Sequence, residues 1–161
     1  RNNVALEILE QNPSVLRGNA SEIISLSGDK TDAKGVDSKD PVEQAENIAY
    51  DIAKKKSIVV VVTGEKDFIT NGNKSLRITG GSDYLPKVTA MGCSLTSLIA
   101  AVNAITNSFD ASIFSLCLFA EASEKAHAKC NGPGTFSQFF LDELNNVDFS
   151  KLNTVKRLIW I

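Results

Sequence analysis

Ile58-Val59-Val60-Val61-Val62-Thr63-Gly64 is the stretch that decides the fold. Five consecutive branched aliphatic residues leave no polar face, and β-branched side chains favour extended backbone. A strand that is apolar on both faces needs helices on both sides. The run therefore predicts a central parallel strand in an α/β fold. Thr63-Gly64 ends it with a hydroxyl and a turn residue, and ligands bind beyond such carboxyl ends in open α/β sheets.

Upstream, Asp40-Pro41 pairs a capping carboxylate with a first-turn proline. Val42, Ala45, Ala49, Ile52 and Ala53 then recur at three- and four-residue steps, which predicts a helix with one buried stripe. Lys54-Lys55-Lys56 reads as its solvated end. Before that, Asn3 to Glu10 are good helix formers stopped at Asn12-Pro13. Ser14-Val15-Leu16 reads as a short strand delivering Arg17-Gly18-Asn19. Asn19 or Ser21 is expected to cap a short helix closed by Gly28, and residues 29–40 to form a polar loop.

Downstream, residues 67–71 and 75–79 predict a hairpin around Asn71-Gly72-Asn73. Lys87 to Cys93 lead into an apolar helix carrying Leu95, Leu98, Ile99, Ala100, Ala101, Val102 and Ile105. A long helix is expected over about 110–129. Gly132-Pro133-Gly134 breaks it before a last helix with Phe136, Phe139, Phe140, Leu141 and Leu144.

The 161 residues are 43% hydrophobic and 22% charged, enough to bury a core and too apolar for a disordered chain. Nineteen acidic residues outweigh seventeen basic ones, which argues against a dedicated nucleic-acid binder. No apolar run is long enough to predict a membrane span, and no charged-then-apolar leader precedes the first helix. The odd trio Cys93, Cys117 and Cys130 has neither disulfide nor metal-ligand spacing. A cytoplasmic protein is the expectation.

Three segments are expected to put polar or small residues beyond strand ends: Arg17-Gly18-Asn19, Thr63-Gly64, and Thr89 to Cys93. The third opens an apolar helix, where unpaired backbone N–H groups and the helix dipole suit a phosphate or a developing negative charge. Cys93 stands at that helix start, where the dipole favours a thiolate able to act as nucleophile or base. Cys117 and Cys130 read as small apolar residues, and His127 as an ordinary surface or core histidine.

Five segments occur in one order: Val15 to Ile23, Gly35-Val36-Asp37-Ser38, Val62 to Asp67, Lys87 to Thr96, and Gly132 to Phe136. Together they resemble the hydroxyethylthiazole kinases, a family of the ribokinase-like superfamily, from residue 15 to about residue 145. The resemblance implies an α/β fold of the ribokinase-like three-layer αβα kind. It also implies transfer of the ATP γ-phosphoryl group to the hydroxyl of 4-methyl-5-(2-hydroxyethyl)thiazole in thiamine biosynthesis and salvage. Mg²⁺ and a homo-oligomer built on trimers are implied as well.

Residue by residue, Cys93 matches the family's base, where many relatives in the superfamily carry aspartate. Ala90, Met91, Gly92 and the Cys93 amide match its anion hole. Ala90 stands beside the thiazole, where many members have glycine. Arg17 resembles the arginine that contacts ATP and Thr63 the nucleotide-binding hydroxyl. Asn19 and Glu22 match the Asn-x-x-Glu element that organises Mg²⁺ through water, and Asp67 is a weaker candidate, with a structural role as its other reading.

The resemblance assigns residues 1–145 to the C-terminal portion of a kinase domain. The N-terminal portion of the same protein, which carries the first strands and much of the thiazole pocket, is not in this sequence, and the uncapped opening helix reads as a cut edge. Residues 146–161 form a tail whose apolar end, Leu158-Ile159-Trp160-Ile161, is expected to dock on a neighbouring domain or subunit. A fungal bifunctional protein with a thiamine-phosphate synthase is compatible with this layout. Two other readings compete. One is a hydroxymethylpyrimidine-type kinase, against which Cys93 argues because aspartate normally stands there. The other is a non-catalytic nucleotide-binding or assembly domain, against which the intact Arg17, Asn19, Glu22, Thr63 and Gly92 argue.

Overall fold

A computed structural model describes residues 2–27 and 41–161. The chain forms α1 (Asn2–Glu10), β1 (Val15–Asn19), α2 (Ala20–Ser25), α3 (Pro41–Lys56), β2 (Val59–Thr63), β3 (Asp67–Thr70) and β4 (Ser75–Ile78). It continues with α4 (Met91–Asn103), α5 (Ser108–Lys129), α6 (Pro133–Asn145) and β5 (Leu158–Trp160). The expected Gly28 stop, the 29–40 loop with its Gly35-Val36-Asp37-Ser38 motif, and the Asp40 cap lie outside the described residues.

The five strands form one sheet in the order β1-β2-β3-β4-β5. β2 is buried from Val59 to Val62, as its composition requires. It is parallel to β1, with Val15 opposite Val59 and Asn19 opposite Thr63, but antiparallel to β3, with Val61 opposite Ile69. The expected parallel strand is therefore parallel on one side only. The cause is the connection: only Gly64, Glu65 and Lys66 separate β2 from β3. A parallel crossover needs a dozen or more residues.

The chain divides into two compact units, Arg1–Arg77 with Trp160–Ile161, and Ile78–Ile159. In the first, α2 and α3 pack on β1 and β2. Ala45, Ala49 and Ala53, each fully buried, let α3 lie close to Val60 and Val62, and Leu9, Ile23, Ile48 and Phe68 complete that core. Val42, expected in the buried stripe, is 51% exposed in the first turn of α3, and Ile48 fills the stripe instead. Glu46 on α3 accepts two bonds from Arg77 on β4, Nε to Oε1 at 2.8 Å and Nη2 to Oε2 at 2.6 Å. Asn71 Oδ1 accepts the Asn73 and Lys74 amides and closes the expected hairpin.

In the second unit, α5 packs against α4 and α6. Phe119 meets Phe140 edge to face at 4.6 Å, and Phe136 stacks on Phe140. Cys117 is fully buried, as a small apolar residue should be. Ile105 falls beyond the α4 C-cap Ala104 and is 86% exposed, and Leu141 on α6 faces outward.

Beyond α6 the chain returns through the buried Arg157. Its Nη1 donates to Glu124 Oε1 at 2.7 Å, and its Nη2 to Glu124 Oε2 at 2.7 Å and Glu121 Oε2 at 2.8 Å. The Thr79 amide donates to the Arg157 carbonyl and the Ile161 amide to the Ser75 carbonyl, which seats β5 beside β4. The apolar end of the tail thus pairs as an edge strand of the chain's own sheet, with Ile159, Trp160 and Ile161 about half exposed. Among the described residues, no helix is long and apolar enough to cross a membrane.

Candidate functional site

The first unit assembles Arg17, Asn19, Glu22 and Thr63 where β1 and β2 end side by side. Alternation along the parallel pair sends Leu16, Val60 and Val62 toward the α2–α3 core. Arg17 and Thr63 then share the opposite face. Arg17 Nη2 donates to Thr63 Oγ1 at 2.6 Å, and the Thr63 hydroxyl donates to the Gly18 carbonyl at 3.4 Å. Arg17 Nε is buried without a partner among the described residues. A desolvated guanidinium N–H lacking an acceptor is costly and is well matched to an anionic oxygen.

Of the two candidate caps, Asn19 is the one used. Its Oδ1 accepts the Glu22 amide at 2.9 Å, and Glu22 Oε2 accepts the Asn19 amide at 2.8 Å. Ser21 Oγ donates to the same Asn19 Oδ1. This reciprocal cap is worth about 1 kcal/mol to α2. Gly18 lets α2 close tightly on the strand end: a Cβ there would stand 3.1 Å from Ile23 Cδ1 and 3.2 Å from Glu22 Cβ, so a larger residue would have to displace these side chains by a few tenths of an ångström. The cap uses one Glu22 oxygen and leaves an exposed carboxylate, and the described residues hold no group of three or more acidic, Cys or His side chains able to grip a metal. The exposed Glu22 carboxylate is compatible with a hydrated magnesium ion.

Asp67, at the start of β3, reaches back so that the Gly64 amide donates to its Oδ1 at 3.1 Å. Burial pushes the Asp67 carboxyl up to about 6, against the opposing pull of the Gly64 N–H and the Arg17 charge.

The second unit carries Ala90, Met91, Gly92 and Cys93 at the start of α4. The element before them is a 3₁₀ turn, Leu85–Lys87, not the strand expected there. Pro86 lies in that turn, and the extended Val88 follows it. Ala90 is the N-cap with φ 69° and ψ 3°, a left-handed conformation costing a residue with a Cβ about 1–2 kcal/mol. Its methyl offers no cap to the amides of the first turn, which point out of the helix. The side chains of Ser94, Thr96 and Ser97 donate back to the carbonyls of Ala90, Gly92 and Cys93. The Cys93 thiol is exposed.

His127 stacks on Tyr84 at 4.5 Å and lies 2.7 Å from Ser82 Oγ and 3.2 Å from Asp83 Oδ1, both at Nδ1. Two partners on one ring nitrogen do not form a relay through the imidazole. The sequence did not reveal the direct Arg17–Thr63 bond or the Asp67–Gly64 bond. The only signal for the second is the spacing in Thr63-Gly64-Glu65-Lys66-Asp67, which places a carboxylate three residues beyond the turn amide it accepts.

Residues 1–150 match the model of the hydroxyethylthiazole kinase family. The chain is 47% identical over 155 residues to a hydroxyethylthiazole kinase of Rhizobium rhizogenes, covering 95% of this chain and 58% of that protein. It is 45% identical over 160 residues to one of Gemmatimonas aurantiaca, covering 99% and 58%. A solved hydroxyethylthiazole kinase of Pyrococcus horikoshii superposes with a TM-score of 0.85 at 27% identity, covering 99% of this chain and 59% of that one. The chain thus spans somewhat under two thirds of the length of the relatives it matches. With a family model matched over nearly its whole length and relatives this similar, the chain belongs to the hydroxyethylthiazole kinase family.

Proposed function

We propose that the protein containing this chain phosphorylates the hydroxyl of 4-methyl-5-(2-hydroxyethyl)thiazole with ATP, as an enzyme of thiamine biosynthesis. The observation that carries the reading is the Arg17–Thr63 pair at 2.6 Å, with its orphaned Arg17 Nε, at adjoining strand ends in a chain of this family. Bound MgATP supplies the transferable phosphoryl group and a metal ion to neutralise charge on it. Arg17 binds the phosphate oxygens, and Thr63 orients both the guanidinium and the nucleotide. Asn19 and the exposed Glu22 carboxylate would hold the magnesium ion through water. Cys93 Sγ, as thiolate, accepts the hydroxyl proton of the alcohol. The amides of Met91, Gly92 and Cys93 stabilise negative charge as the oxygen–phosphorus bond forms and the bridging bond to ADP breaks. Ala90 contacts the thiazole side of the substrate. The remaining pocket residues come from the rest of the longer protein, within a homo-oligomer built on trimers in the cytoplasm.

Arg17→Ala tests the nucleotide half. Losing a charge-assisted bond to phosphate is expected to raise the KM for ATP about 10- to 100-fold in steady-state assays of the full protein. The thiazole KM should stay within about threefold, since that substrate makes no use of the guanidinium. An unaltered ATP KM would remove Arg17 from nucleotide binding. The reading as a whole is tested by ADP release that depends on the thiazole alcohol, with the phosphate ester identified by mass spectrometry.

A further inference from the structure

The Thr63–Gly64 turn is held from below by a carboxylate that the proposed reaction does not use. Asp67 Oδ1 accepts the Gly64 amide at 3.1 Å, and the residue before that amide is Thr63, whose Oγ1 receives Arg17 Nη2 at 2.6 Å. Gly64 itself is exposed, and a Cβ on it would meet nothing closer than the Lys66 carbonyl at 3.7 Å. Glu65 and Lys66, the rest of this three-residue connection, are exposed. The Thr63 side chain is tied to the Gly18 carbonyl and to Arg17, and the Asp67–Gly64 bond fixes the backbone that carries it.

We propose that Asp67 is a positioning residue of the nucleotide side, whose bond to the Gly64 amide fixes the Thr63–Gly64 turn and thereby aims Arg17 and Thr63 at the phosphates. This inference rests on the nucleotide-binding reading above. A second feature supports it. The charged group facing Asp67 from β1 is Arg17, and its own turn contributes Glu65 and Lys66; even with Arg17 opposite, burial leaves the carboxyl titrating at about 6. A carboxylate kept ionised at neutral pH against its surroundings lowers stability, and such costs collect where function needs the group.

The sign follows from the direction of the shift. The folded state holds the Asp67 proton more tightly than the unfolded chain, whose aspartate titrates near 3.8. Stability therefore falls as pH rises from about 4 to about 6 and stays at its lower level above that. An asparagine in place of Asp67 would keep an oxygen that accepts the Gly64 amide while removing the desolvated charge. Asp67→Asn should therefore raise Tm at pH 8, and the gain should disappear at pH 4. Asp67→Ala removes the acceptor altogether.

The test uses the full-length protein and measures MgATP binding by calorimetry, steady-state kcat, and Tm at pH 4 and pH 8. Asp67→Ala is expected to weaken MgATP binding about 10-fold, the loss of one charge-assisted contact acting through the turn, with kcat at saturating ATP within about threefold. Asp67→Asn is expected to recover most of that affinity and to melt higher than the wild type at pH 8. A purely structural residue would behave otherwise: alanine would lower Tm and leave the ATP affinity unchanged, and that result overturns the proposal. So does an asparagine variant as weak as alanine. If the wild type itself binds no MgATP, the functional reading fails and this inference with it. A wild type that binds while Asp67→Ala binds equally well defeats the inference alone.

Discussion

Cys93→Ala in the full-length protein is expected to lower kcat about 100-fold or more, with the KM for ATP changed by less than about threefold. Alanine keeps the backbone N–H of residue 93 and the helix that presents it, so the substitution removes only the thiol. The side chain is exposed at the first turn of α4, and no hydrogen bond within the described structure depends on its sulfur. Folding should therefore be nearly untouched. General base catalysis contributes about 10²- to 10⁴-fold in enzymes at large. Phosphoryl transfer leans more on positioning and charge neutralisation than on the base, which places the effect near the lower end. Residual turnover should persist because the amides of Met91, Gly92 and residue 93 remain. Single-turnover measurement of the chemical step checks this, and undiminished turnover would take Cys93 out of the mechanism.

Arg157→Ala is the change with the largest expected effect on stability. The guanidinium is 4% exposed and answers two carboxylates, while Glu121 and Glu124 are held below the ordinary glutamate value chiefly by their bonds to it. Removing it leaves those charges without their main partner, although Lys125 still lies 3.4 Å from Glu121 and Glu124 is 40% exposed. Breaking a buried pair costs about 3–5 kcal/mol, and the exposure of Glu124 argues for about 3. For a chain of this length that corresponds to a fall in Tm of about 10 °C. Because both glutamate values are depressed on folding, this stability is present above their unfolded value near 4.5 and is lost as pH falls through the folded values. The gap between wild type and variant should therefore narrow below about pH 4. The same cluster explains Gly80, at φ 108°: a Cβ there would lie 2.0 Å from Arg157 Nη1 and 2.7 Å from Glu124 Oε1. A variant melting within a degree or two of the wild type at pH 7 would show that the cluster is not what secures the end of the chain.

Much of this architecture can be read from local chemistry. The Val59–Val62 run, the Asn12-Pro13 stop, the Asn71-Gly72 hairpin and the alanine stripe of α3 each follow from rules acting over a few residues. Failures occurred where a distant partner decides. β2 reads as parallel on both sides because its composition records burial, whereas the direction of its neighbour is set by a three-residue connection. Leu158 to Trp160 read as an apolar tail because nothing local says that β4 lies free to pair. Val42 and Ile105 fit the helical period yet lie at or beyond helix ends, where period no longer implies cover.

The candidate site shows the same division. Asn19 and Ser21 both read as caps from the sequence, and only the structure shows Asn19 in a reciprocal cap with Glu22. Ala90 stands where the resemblance implies glycine, and its φ of 69° gives the physical reason that glycine suits the position. The Arg17–Thr63 bond spans 46 positions and depends on the parallel register of β1 and β2, which no local pattern encodes.

The most direct measurement is kcat/KM of the full-length protein with MgATP for two alcohols side by side, the hydroxyethylthiazole and a hydroxymethylpyrimidine. The account predicts ADP formation matched one for one by thiazole phosphate, with kcat/KM for the thiazole at least about 100-fold above that for the pyrimidine. Equal or greater efficiency with the pyrimidine, or ATP binding without phosphorylation of either alcohol, would contradict it.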